Sequence, residues 1–272
     1  WGLDASIPEG FLGAKAENIW KLHESGFKVP ESIFVPKSAV INDALACAVL
    51  ESFKQGHQRL VVRSSSQHED GMKESMAGLF HSVLNVPAEP VALKQAMHDC
   101  RDHTPELSGL IDHGIGLVIQ EMIEPRVSGL MFTEDPTDEN SGIVLEWVEG
   151  HLEKLVQGEV EGIHTRVCRS SCQTGGTAIP QLSELQSLTN SVATLESITG
   201  GPADIEWAIS GDDCYVLQIR PITSHQVGHL PSVTDLSLQQ SYDTLPSRIR
   251  NHDKIAFREM CLSYSLPIAY GN

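Results

Sequence analysis

The chain has 272 residues, 40% hydrophobic and 20% charged, with a formal net charge of -17. Its length suits one two-lobed unit plus a tail, and its composition can bury a large core. The acidic balance excludes a general nucleic-acid surface, which needs clustered Lys and Arg, and no apolar run reaches the ~18 residues of a membrane-spanning helix.

In chain order, Gly13 to Ser25 reads as a helix with Ile19, Trp20 and Leu22 on its apolar face and Gly26 as its stop. Asn42 caps a second helix running to about Gln55. Arg59–Arg63 reads as a short buried strand, Leu79–Val86 as an alternating one and Pro90–Asp102 as a helix. Strands follow at Gly116–Ile123, Val127–Thr133 and Gly142–Val148, then a single helix over Gln181–Ile198. Ala203–Ala208 and Tyr215–Arg220 form a hairpin through the turn Ser210-Gly211-Asp212-Asp213. Beyond Thr223 the composition turns polar and reads as linker, with a last helix over His252–Ser263. The mixture of helices and antiparallel hairpins gives an α+β class. The expected domains are a two-lobed unit over 1–225 and a mainly helical tail over 226–272.

Six cysteines, at 47, 100, 168, 172, 214 and 261, match no zinc spacing beyond the single close pair Cys168 and Cys172. Reduced thiols in a cytoplasmic protein are expected. The chain opens on Trp1, so the natural protein is expected to be longer.

The chemistry concentrates in Asp204-Ile205-Glu206-Trp207 and Tyr215 to Pro221. Side chains alternate along a strand, so Asp204 and Glu206 share one face, and Gln218 and Arg220 share another, opposite Leu217 and Ile219. A hairpin centred on Asp212 sets Glu206 across from Gln218. A carboxylate and an amide oxygen side by side suit Mg²⁺, and a neighbouring guanidinium suits phosphate. From spacing alone, the pattern equally fits a solvated hairpin edge with a surface ion pair.

DIEWAI and YVLQIRPIT resemble the hairpin that closes the ATP site in the phosphoenolpyruvate synthase, pyruvate phosphate dikinase and rifampin phosphotransferase family. The resemblance implies that Glu206 and Gln218 hold Mg²⁺ and that Arg220 binds the triphosphate. Further segments agree in the family's order. GAKAENIWKL with FKVPESIFV resembles the opening motif whose lysine, here Lys15, contacts phosphates, although a surface helix lysine is the commonest fate of any Lys. VVRSSSQHED resembles the strand end whose arginine, here Arg63, meets the phosphates; a buried strand ending in Arg needs a partner for the charge. SMAGLFHSVLNV resembles the small-residue loop over the phosphates, which implies binding by Ser75, Ala77 and Gly78, with departures at Met76 and Leu79; an ordinary turn before a strand also fits. VIQEMIEPRVSGLMFTEDP resembles the strand pair behind the adenine, so the backbone of Gln120, Glu121, Met122 and Ile123 meets the base edge; core packing alone also accounts for Met122. EGHLEKLVQGEV resembles another loop of that site, and Glu153 matches an acid that reaches the ribose or the metal shell.

The resemblance runs from Gly13 to Thr223 and implies an ATP-grasp fold, two α+β lobes clamping ATP. It implies phosphoryl transfer from MgATP to a histidine on a swivelling domain, in the same chain or another, with AMP and phosphate released. Lys15, Arg63 and Arg220 are then the catalytic cations. Thr223-Ser224-His225 lacks the glycines and small-residue helix of that histidine site and is read as chance; His68 is read as a loop residue. The tail, with Lys254, Arg258 and Pro267, faintly resembles carboxylate–amine ligases but reads better as a linker helix. The rival readings are an ATP-grasp ligase that forms an acyl phosphate and a nucleotide-binding module without catalysis.

Overall fold

The structure, a computed structural model, describes residues 2–4, 12–54, 56–66, 82–102, 116–134, 142–156, 160–167, 174–176 and 182–222. The small-residue loop with Ser75, Ala77 and Gly78, together with His68, Cys168, Cys172 and the entire tail from 223, lies outside these residues.

The elements in order are α1 (Ala14–Glu24), β1 (Ser32–Val35), α2 (Asp43–Ser52), β2 (Arg59–Ser65), β3 (Ser82–Pro87), α3 (Pro90–Asp102), β4 (Gly116–Glu121), β5 (Val127–Phe132), β6 (Ile143–Glu149), α4 (Glu153–Val156), β7 (Ile163–Val167), β8 (Thr174–Gly176), α5 (Leu182–Asn190), α6 (Val192–Thr199), β9 (Ala203–Ser210) and β10 (Asp213–Pro221). They build two antiparallel sheets, one in the order β1-β4-β2-β3 and the other in the order β10-β9-β5-β6-β7-β8.

In the first sheet, Ile33, Val35, Leu60, Val62, Leu117 and Ile119 face α2 and α3 and form one buried core with Leu93, Met97 and Cys100. Asn42 caps α2 as expected, its side-chain oxygen accepting from Leu45 N at 2.8 Å; the helix stops at Ser52. In the second sheet, Ile205, Trp207 and Ile209 join Met131, Leu145 and Trp147 against α1, α5 and α6 in a second core. This helix α1 also lies against β2 and β4, so it ties the two sheets together. The opposite faces of the two sheets, Val61 and Arg63 on one and Ser128 and Ala208 on the other, line a common cleft.

The expected single helix over 181–198 is two helices. The chain breaks at Ser191, whose backbone leaves helical geometry at φ -100°, ψ 16° and whose hydroxyl turns back to Ser187 O at 2.7 Å. Two strands carry no clear alternation in the sequence: the fully buried β1 and the three-residue edge strand β8.

Candidate functional site

The hairpin of β9 and β10 turns on Gly211 and Asp212, because Ser210 pairs with Asp213. Gly211 supplies the positive φ of 59° that this tight turn needs. A regular ladder from that turn would set Glu206 opposite Leu217. The register instead shifts between Val216 and Gln218, so Gln218 pairs with Glu206 and Arg220 with Asp204. A β-bulge at Leu217 therefore produces the pairing that the sequence suggested, by a different route. It also corrects one expectation. Leu217 does not sit with Ile219 on the core face but lines the cleft beside Ala208.

Arg63 comes from the other sheet. It donates from Nη1 to Gln218 Oε1 at 3.0 Å and lies 3.6 Å from Glu206 Oε2. Its Nε is buried without a partner. Two oxygens thus converge on one cationic atom across the cleft. One row along, Arg220 holds Asp204 Oδ2 through both Nε and Nη2, each at 2.7 Å. Asp204 is buried, and its Oδ1 has no partner. Burial pushes the Asp204 carboxyl above the usual range; Arg220 opposes that shift and the charge of Glu206 adds to it. Asp204 is the site residue that the sequence reading left out of the site, although its alternation with Glu206 placed it on the same face.

Lys15 is set by backbone contact. The amide of Ala14 donates to Ser66 O at 3.0 Å, and that of Ala16 to Ser65 Oγ at 3.1 Å. These bonds satisfy two of the free N–H groups of α1, whose own N-cap, Gly13, offers no side chain. A Cβ on Gly13 would stand 2.3 Å from the carbonyl carbon of Ser65. Only glycine permits this approach, which brings the first turn and the largely buried Lys15 to the end of the Arg63 strand. Asn18, one turn later, donates to Ile219 O at 3.2 Å and ties α1 to β10.

The cleft is walled by Val61, Leu84, Met122, Ile123, Leu152 and Leu217, and Arg63 also lines it. An apolar lining with a few polar groups fits a small organic ligand. Gln120, Glu121, Met122, Ile123 and Glu153 all line it. The side chains of the strand behave differently from one another. Gln120 is buried and donates to Ser32 Oγ at 3.1 Å. Glu121 alternates to the other face, where Oε1 accepts from Glu31 N at 3.0 Å and Oε2 lies 3.3 Å from His57 Nδ1. Its carboxylate is thereby committed within the protein, and so is its backbone N–H, which donates to Glu31 O at 2.9 Å.

The site's oxygens suit a hard divalent cation: Glu206, Gln218 and the unpartnered oxygen of Asp204 are all carboxylate or amide donors. Among the described residues no three His, Cys, Asp or Glu side chains converge as a metal cage. By themselves these oxygens could make only part of a divalent cation's shell.

Two α+β lobes that close on such a cleft define the ATP-grasp class. The family described as pyruvate phosphate dikinase, AMP/ATP-binding domain matches residues 2–175, and the chain belongs to that family. It is 26% identical over 81% of its length to the prodigiosin synthesizing transferase PigC of Serratia marcescens, covering 32% of that protein. It is 28% identical over 67% of its length to a rifampicin phosphotransferase of a Streptomyces species, covering 26% of it. The chain thus spans about a third or less of the length of these relatives. Among solved structures it is similar to a dinucleotide-forming acetyl-coenzyme A synthetase from Ca. Korarchaeum cryptofilum, with 10% identity, a TM-score of 0.49 and coverage of 76% of this chain and 90% of that one.

Proposed function

We propose that this chain is the nucleotide-binding unit of a dikinase-type phosphotransferase. It binds MgATP in the cleft and passes a phosphoryl group to a histidine on another domain or partner, leaving AMP and phosphate. The observation that carries this reading is the meeting, beside an apolar slot, of Arg63 with Glu206 and with Gln218, which is 155 positions away in sequence. A base in the slot would lie against Met122, Ile123 and Leu217, with its edge at the backbone of Glu121 to Ile123. Its phosphates would then reach the cations.

Phosphoryl transfer asks of a protein mainly position and charge neutralisation. Lys15 and Arg63 supply positive charge from two elements joined at Ser65 and Ser66. Arg220 supplies a third charge, oriented by Asp204. Glu206, Gln218 and Asp204 would hold Mg²⁺, which when bound offsets charge on the phosphate oxygens. The small-residue loop with Ser75, Ala77 and Gly78 is proposed to cover the phosphates, and the partner carries the acceptor histidine. Among the described residues no helix is long and apolar enough to cross a membrane; a cytoplasmic location is part of the proposal.

Titration calorimetry with MgATP tests binding, and the absence of heat with both ATP and ADP would end this reading. Product analysis with the acceptor domain supplied tests the reaction. AMP as product supports the dikinase-type step, whereas ADP would point to an acyl-phosphate-forming ligase.

A further inference from the structure

Asn18 is buried in the helix α1, beside the core residues Ile19 and Leu22. An apolar side chain would pack there and favour the helix more, because asparagine competes with the backbone for hydrogen bonds. The amide therefore carries a local cost, and it makes a bond across the fold. Its Nδ2 donates to Ile219 O at 3.2 Å, 201 positions away.

That bond sits where the two lobes and the cations meet. β10 is an edge of its sheet, so the backbone groups on its outer side need partners other than a strand. Lys28 O accepts from Val216 N at 2.8 Å, and Asn18 supplies the donor for Ile219 O. Ile219 itself belongs to the core, while Gln218 and Arg220 on either side of it pair with Glu206 and Asp204. Holding the Ile219 carbonyl thus holds both polar neighbours. The first turn of α1 is fixed to the other sheet, through Ala14 N to Ser66 O and Ala16 N to Ser65 Oγ. Lys15 lies between these anchors, three residues before Asn18 and on the same face of the helix. The apolar contacts of Ile19 and Leu22 are non-directional and do not fix how far α1 slides along β10. A hydrogen bond does, because it weakens steeply with distance and angle.

We propose that Asn18 is a positioning residue for the phosphate chain: its bond to Ile219 sets the spacing between Lys15 on α1 and Gln218 and Arg220 on β10, so that both sides grip one triphosphate. The inference rests on the reading of the cleft as a nucleotide site. It adds a residue that touches neither phosphate nor metal and acts through the groups that do. What Asn18 supplies is a spacing, and a spacing has no effect once one of its ends is removed. A residue that only capped an edge carbonyl would show no such dependence.

The test is a double-mutant cycle on the 272-residue chain, with the Kd for MgATP measured by calorimetry for the wild type, Asn18→Leu, Lys15→Ala and the double variant. Leucine keeps the volume of asparagine, suits the apolar surroundings and removes the donor. Asn18→Leu is expected to weaken MgATP binding roughly tenfold in the wild-type background and less than about twofold in the Lys15→Ala background. Thermal melts accompany each titration. Asn18→Ala replaces the leucine variant if that one loses its cooperative melt, and Arg220→Ala, the other end of the spacing, replaces Lys15→Ala on the same ground. If both Asn18 variants lose the melt, Asn18 serves the fold alone and the inference is overturned. It is equally overturned if Asn18→Leu binds MgATP as the wild type does, if Lys15→Ala loses no affinity, or if Asn18→Leu costs the same factor in both backgrounds. A wild type that binds neither ATP nor ADP removes the nucleotide reading itself and this inference with it.

Discussion

Arg63 Nη1 donates to Gln218 Oε1 at 3.0 Å and so joins the central strand of one sheet to the edge hairpin of the other. The same atom neutralises Glu206. Arg63→Ala should therefore leave the fold intact, because Glu206 and Gln218 can be solvated through the cleft, but should weaken MgATP binding. Charge-assisted hydrogen bonds contribute about 1.5–3 kcal/mol, which corresponds to roughly 10- to 100-fold in Kd. Calorimetry alongside a thermal melt separates the two effects. A lost cooperative melt would make Arg63 a structural residue.

Glu206→Gln keeps shape and removes one anionic oxygen. Folding should be nearly unchanged, and activity of the full-length enzyme should fall at ordinary Mg²⁺ and recover in part at raised Mg²⁺. Arg220→Ala should not recover, since it removes positive charge rather than a metal ligand; loss of such a contact costs on the order of 10³-fold in rate. A Mg²⁺ titration of both variants distinguishes them. A wild-type rate for Glu206→Gln at ordinary Mg²⁺ would remove the hairpin from the metal site.

Gly13→Ala should damage both stability and binding. The new methyl would stand 2.3 Å from the carbonyl carbon of Ser65, and that backbone cannot yield without losing the bonds that cap α1. Overpacking of this kind costs about 1–3 kcal/mol. The displaced helix would also move Lys15. A lowered Tm together with weaker ATP binding is the expected result; an unchanged Tm would show that the approach is looser than described.

Cys100 donates its thiol proton to Val62 O at 3.1 Å, and burial raises its pKa from the ordinary 9.0 to about 11. A thiol raised in the folded state contributes stability that is present below pH 9.0 and lost as pH rises towards about 11. Wild-type Tm should fall more steeply across that window than the Tm of Cys100→Ala. Native protein near neutral pH should also react slowly with thiol reagents at Cys100 and at Cys214, where burial pushes the thiol up to about 12. Fast labelling of Cys100 would contradict its burial, and fast labelling of Cys214 its partial burial.

Local periodicity was readable wherever one face of an element meets the core. Pro90–Asp102, the cap at Asn42 and the alternation of Ile205 and Trp207 with Asp204 and Glu206 all follow from spacing, because a helix or strand repeats its faces at a constant interval. The motifs also placed Lys15, Arg63, Glu206 and Gln218 in one family of sites. The sequence alone did not decide what each polar side chain would do. Arg220 is shared with Asp204, Glu121 turns away to Glu31 and His57, and Leu217 leaves the core face because a bulge interrupts the ladder. β8, three residues long, forms at the sheet edge, where its partner strand rather than alternation determines pairing. A hydrogen-bond partner is chosen by distance in space, and the packing of α1 between two sheets brings Arg63 to Gln218 from 155 residues away.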